Sequence, residues 1–296
     1  MIALGTASAS DRIESALHSA IARGSTGAPP TLARALHYAV FPGGARVRPR
    51  LCVAVAAACG EDLPALTDAA AASIELLHCA SLVHDDLPCF DDAPLRRGKP
   101  SVHRAFGEPL AVLAGDALIL LPFDLVARVG VAAPERLPAL IALLSRAAGS
   151  TGGLVAGQAW ESEPAPSVPL DAYHRAKTGS LFRAATMAGA IAAGSDPTPW
   201  SLMGERLGEA YQVADDLLDA VARPDEAGKP VQRDAALARP SSIATRGVDG
   251  TVAHLRALID AASAAVPACP GAAALRALVV RIAERLVPAS LRQTAA

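Results

Sequence analysis

Residues Leu76–Glu108 read LLHCASLVHDDLPCFDDAPLRRGKPSVHRAFGE. They begin as the end of an apolar segment of helical length, over 63–87, that runs straight into Asp85 and Asp86. Pro88 lacks an N–H and its ring crowds the preceding turn, so the chain leaves the helix there. Asp91 and Asp92 follow on the turn, and Arg96, Arg97 and Lys99 come next. Four carboxylates within eight residues repel one another. A protein keeps such a cluster in a cleft only where cations are bound.

A second acidic group lies at 211–222, YQVADDLLDAVA. The steps from Gln212 to Asp216 and from Asp215 to Asp219 are i,i+4, and Gln212 to Asp215 is i,i+3, so the four side chains share one helical face. Leu207, Ala214 and Leu218 make the rest of that helix apolar. Hard oxygen donors, with no Cys or His at zinc spacing, predict Mg²⁺, which takes a few carboxylates together with substrate phosphates. Basic residues stand close to both clusters. Arg46, Arg48 and Arg50 follow Gly43-Gly44 at a helix start, Lys177 sits in HRAKTGSLF, and Lys229 follows Gly228. The pattern predicts a diphosphate bridged by metal ions between two acidic walls. His78 lies about two turns before Asp85 and is either a satisfied core histidine or a substrate contact.

The remaining sequence predicts an all-α fold. Of 296 residues, 52% are hydrophobic, 19% charged and 3% aromatic, which excludes a disordered chain and disfavours a β-sandwich or barrel. Alanine and leucine, the strong helix formers, dominate. Helical segments are expected at 32–41, 47–60, 63–87, 108–129, 134–160, 170–193, 199–222, 249–266 and 272–287, and Arg223–Pro240 reads as a polar loop. The simplest architecture is a single domain, 1–296, of long, mostly antiparallel helices, with residues 1–30 as a peripheral N-terminal segment. A net charge of −2 argues against a nucleic-acid partner. Mean hydropathy is high at +0.31, but no stretch reaches the roughly 18 apolar residues of a membrane span, so no transmembrane segment is expected. The N-terminus carries no signal-peptide pattern. Five cysteines without a C-x-x-C read as reduced core thiols of a cytoplasmic protein.

These residues resemble the trans-isoprenyl diphosphate synthases. HDDLPCFDDAPLRRGKPSVH is similar to the family's first aspartate-rich motif, D-D-x-x-x-x-D…L-R-R-G, and YQVADDLLDAVARPDEAGKP to the second, [FY]-Q-x-x-D-D-x-x-D…G-K. GGARVRP, GLVAGQAWE and AYHRAKTGSLF resemble three further family motifs, in the family's order. The resemblance implies a helical bundle around a deep central cavity, usually a homodimer. It implies Mg²⁺-dependent, head-to-tail (1′-4) condensation of isopentenyl diphosphate with an allylic diphosphate. By position, Asp85, Asp91 and Asp215 would bind Mg²⁺, with Asp86, Asp216 and Asp219 as further candidates. Arg96 and Lys177 would hold the allylic diphosphate and Lys229 would close over it. Arg48, His78 and Arg97 would hold isopentenyl diphosphate, while Thr178 and Gln212 would line the reacting carbons. The family's lysine after the glycine pair is Ala45 here. Either Arg46 takes its place or isopentenyl diphosphate binds more weakly. Related farnesyl diphosphate synthases carry an aromatic four or five residues before the first aspartate. Ala80 and Ser81 stand there and leave room for a longer tail, so geranylgeranyl diphosphate is the expected product. A farnesyl diphosphate synthase, or a non-catalytic partner subunit, is the alternative.

Overall fold

The computed structural model describes residues 6–41, 43–164, 169–221 and 242–286. Thirteen α-helices make up these residues: α1 Thr6–Ser25, α2 Pro30–Val40, α3 Val47–Ala58, α4 Pro64–Asp85, α5 Val102–Phe106, α6 Glu108–Gly130, α7 Leu137–Ala148, α8 Leu154–Ala159, α9 Leu170–His174, α10 Ser180–Ala192, α11 Ser201–Val221, α12 Ser242–Ala264 and α13 Ala272–Leu286. The polar loop expected at 223–240, and Lys229 within it, lie outside the described residues.

α4 is the axis of the bundle. Ala69–Ala72, Ile74, Leu76, Leu77 and Cys79 are all buried, so α4 is apolar nearly all round, as a helix surrounded by others must be. It packs most extensively against α6 and also meets α1, α2, α3, α7 and α10. A second apolar cluster, including Val213, Leu217, Leu255, Leu258 and Ile282, joins α11 to α12 and α13 and braces the helix of the second acidic group from behind.

Several expectations are corrected. α1 is not peripheral: Ile13, Leu17, Ala20 and Ile21 belong to the main core, and Arg12 ties α1 to Glu61 and Asp68. The segment expected as one helix over 134–160 breaks at Gly149–Gly153 into α7 and α8. Residues 170–193 hold one wide π turn, Arg175–Gly179, between α9 and α10. Leu95–Arg96 and Lys99–Pro100 form a small antiparallel hairpin where no strand was expected. Asp116 does not interrupt α6, so α4 and α6 each carry an 18-residue window, of mean hydropathy 1.3 and 2.0, long and apolar enough to cross a membrane. The α4 window is 83% buried within the protein, the mark of a core helix, whereas that of α6 is 39% buried. All five cysteines are free.

Candidate active site

The site forms where α4 ends. Asp85 is the last residue of the helix, and Asp86, in its C-cap position, points about 100° away around the axis. Asp85 accepts a hydrogen bond from Gln158 of α8 at 3.0 Å, and the same amide donates to the Ser81 carbonyl at 3.2 Å. Burial pushes the Asp85 carboxyl up, opposed by Lys177 and Gln158, while Glu161 and Asp91 add to the rise. Asp91 returns to the helix end through its own amide, which donates to the Asp85 carbonyl at 2.9 Å. Asp86 instead takes Arg96 Nε across both oxygens, at 3.0 and 3.1 Å. Burial raises the Asp86 carboxyl too, against the pull of Arg96.

The π turn faces this cluster. Such wide turns shift the side chains that follow them and recur at functional sites. Lys177 Nζ donates to Glu161 at 2.6 Å, and the Tyr173 hydroxyl donates to the same oxygen at 2.6 Å. Thr178 donates to Gln212 at 2.7 Å, Gln212 donates to Asp216 at 3.0 Å, and Asp216 accepts the Ser242 backbone N–H at 2.7 Å. One turn therefore carries both Lys177, bonded to Glu161, and Thr178, linked through Gln212 to the second acidic group. Two glycines hold it. A Cβ on Gly157 would collide with the Lys177 backbone, and one on Gly208 would lie 2.6 Å from the Gly179 Cα. Asp215 is half-buried on the same helix as Asp216. The side chain of Asp219 lies outside the described residues.

The basic residues divide. Arg46 is committed to the protein: it donates to Glu14 at 2.8 Å, to Glu75 at 2.7 Å and to the Val40 carbonyl at 2.9 Å. Burial pulls this guanidinium down, but the two carboxylates more than offset it and hold it above the ordinary arginine range. Its geometry corrects the expectation that it stands in for the missing lysine. Arg48 lies inward, and burial lowers it from the ordinary arginine value. Arg97 rests on Gly44, where a Cβ would lie 2.8 Å from its Nη2. Half-buried His78 is pushed well below its usual range, first by burial and then by Arg48, Arg97, Arg96 and Arg46, so it is neutral at pH 7. Arg46, Asp92 and Arg97 all adopt left-handed backbone, with φ of 49°, 44° and 54°. Three such residues around one site are local strain held by the surrounding fold.

Among the described residues no three His, Cys, Asp or Glu side chains converge as a ready metal cage. Carboxylate oxygens on facing elements still suit Mg²⁺, whose remaining ligands come from water and substrate phosphates. Tyr173, Gln158 and Glu161 stand within the motifs AYHRAKTGSLF and GLVAGQAWE, but the sequence assigns them no role, because their contacts depend on α8 reaching back to α4 and to the π turn.

A helical bundle that brings two aspartate groups and a lysine-bearing turn to one place has the architecture of an isoprenoid synthase. The chain belongs to the polyprenyl synthetase family, enzymes of prenyl chain elongation by condensation with isopentenyl diphosphate; the family model matches residues 29–270. It is 54% identical to geranylgeranyl diphosphate synthase of Cereibacter sphaeroides, over 95% of this chain and 97% of that one. It is 53% identical to geranylgeranyl diphosphate synthase of Rhodobacter capsulatus, over 83% and 85%. The crystal structure of Helicobacter pylori geranyltransferase complexed with magnesium and isoprenyl diphosphate superposes with a TM-score of 0.81, at 27% identity over 96% of this chain and 99% of that one.

Proposed function

We propose that this chain is a Mg²⁺-dependent geranylgeranyl diphosphate synthase, acting as one domain in a cytoplasmic homodimer. The observation that carries the reading is the π turn, which bonds Lys177 to Glu161 and Thr178 to Gln212 of the second acidic helix. Lys177 and Arg96 hold the allylic diphosphate as its C–O bond ionises. Asp85, Asp91 and Asp215 would hold Mg²⁺ together with the substrate's phosphates, and the metal would supply charge neutralisation of the departing diphosphate. Arg48, Arg97 and neutral His78 orient isopentenyl diphosphate, whose double bond attacks the allylic cation. The proton lost in the final step goes to the released diphosphate. Thr178 and Gln212, bonded to each other, present fixed dipoles beside the reacting carbons. The apolar walls exclude the water that would trap the cation.

The product reading rests on the two relatives and on α4. Ala80 lies one turn before His84, whose ring rests on Gly115 of α6, so this stripe of α4 faces α6. Below Ala80 stand Leu76 and Leu77 as the next bulk. Chromatography of the product from dimethylallyl and isopentenyl diphosphates should show twenty carbons, and Ala80→Phe should shorten it to fifteen. A fifteen-carbon product from the parent enzyme overturns the length assignment. The homodimer is supported by the outer face of α6, where Leu113 and Leu120 are 52% and 68% exposed. Light scattering on the parent and on Leu120→Asp tests it, with a dimer expected for the first and a weakened one for the second.

A further inference from the structure

Arg46 and Arg48 leave the same first turn of α3 and meet opposite surroundings. Arg46 has two carboxylates and a carbonyl. Arg48 is as deeply buried, at 9% exposure, yet its Nε has no hydrogen-bond partner among the described residues. Glu75, the carboxylate acting on it, is already bonded to Arg46. What Arg48 has is aromatic surface. Its guanidinium carbon lies 4.6 Å from the Phe182 ring centroid and 5.5 Å from that of Tyr211. The two rings lie 5.2 Å apart, tilted by 41°.

Both rings are where they are because α10 and α11 touch at the backbone. A Cβ on Gly204 would lie 2.5 Å from the Arg183 Cα, and one on Gly208 would lie 3.2 Å from the Phe182 Cβ. Tyr211 follows Gly208 by three residues, on the same face of α11. A guanidinium against aromatic faces is attracted by the ring quadrupole, most strongly where water is excluded. The planar ion spends its faces on the rings and keeps its N–H edge for an acceptor. Arg97 and His78, the other residues assigned above to isopentenyl diphosphate, are near enough for their charges to act on one another: Arg48 and Arg97 both depress His78.

We propose that Phe182 and Tyr211 are positioning residues for isopentenyl diphosphate: their rings clamp the Arg48 guanidinium with its donor edge set toward the diphosphate. The proposal rests on the reading that Arg48 binds that substrate. It accounts for how the site works with Ala45 where the family has lysine. A mobile ammonium is absent, and an arginine fixed in advance by two rings supplies directed donors without paying the ordering cost on binding.

The test is steady-state kinetics on the full-length enzyme with Mg²⁺, both diphosphates varied in turn, and folding checked by circular dichroism. In Phe182→Leu, KM for isopentenyl diphosphate should rise about tenfold, the effect of losing one desolvated cation–π contact. KM for the allylic substrate should stay within about twofold. In an Arg48→Gln background the same ring replacement should add nothing, because the clamped group is gone. Should Phe182→Leu fail to fold, Tyr211→Leu carries the test, and Tyr211→Phe should restore the low KM that Tyr211→Leu loses. An unchanged KM for isopentenyl diphosphate in a folded ring variant, or an equal rise for both substrates, overturns the clamp. An Arg48→Gln enzyme with parental KM for isopentenyl diphosphate overturns the underlying assignment of Arg48 instead.

Discussion

In each Asp-Asp pair the protein holds the second carboxylate, but by different means. Asp86 binds Arg96, ten residues further on in the hairpin. Asp216 binds the amide of Gln212 on its own helix and the backbone N–H of Ser242, at the start of α12. Neighbouring residues on a helix diverge by about 100°, so a pair cannot aim both carboxylates at one point. The second aspartate of each pair becomes a brace for the first. The first brace is local in sequence, an ion pair within the turn. The second ties α11 to α12, so the geometry of that acidic face depends on a helix 26 residues away.

The sharpest way to separate bracing from chemistry is to remove one member at a time. Asp85→Ala and Asp215→Ala should each lower kcat by at least about 10²-fold, the scale of losing one transition-state stabiliser, with the circular dichroism spectrum kept. Near-parental turnover in either would break the division of roles. The braces should register in stability. Asp86→Ala leaves Arg96 unpaired and should cost about 1–3 kcal/mol in denaturant unfolding. That is less than the roughly 3–5 of a fully buried pair, because the Arg96 side chain keeps 29% exposure. Asp216→Ala removes a side-chain cap from α12 and should cost about 1 kcal/mol. A larger loss at 216 than at 86 would reverse the comparison.

The smallest effect is a pH dependence. Burial raises the Asp85 carboxyl above its unfolded value, so the folded state binds this proton more tightly than the unfolded state does. Stability from this group therefore falls as pH rises from the ordinary carboxylate range, about 4, through the raised value. In metal-free enzyme, Asp85→Asn should raise Tm by a few degrees near pH 7.5, and the gain should fade as pH approaches 4. A gain of equal size at both pH values would show that the effect is not the carboxylate's charge.

Much of this site is legible in the order of residues. The apolar run into Asp85, the proline turn and the i,i+4 spacing at 212–219 carry their geometry in short-range pattern. Arg46 does not. Two carboxylates claim it, Glu14 from 32 residues upstream and Glu75 from 29 downstream, and no periodicity announces such an encounter. The same limit hid α1, whose burial needs a partner surface on α4 that only the folded bundle supplies. The π turn is half legible: Gly179 in RAKTG marks a relaxed or kinked helix, while the widening itself lies where Gly157 and Gly208 press in from neighbouring helices.

Those glycines have a consequence for how such a chain can change. Where backbones touch without an intervening side chain, the spacing between α8, the π turn, α10 and α11 has no adjustable part. Growth at Gly157, Gly204 or Gly208 would force whole helices apart, so these positions tolerate no larger side chain without a shift of the backbone. Where α4 meets α6, by contrast, the contact runs through side chains, and these can be exchanged one at a time.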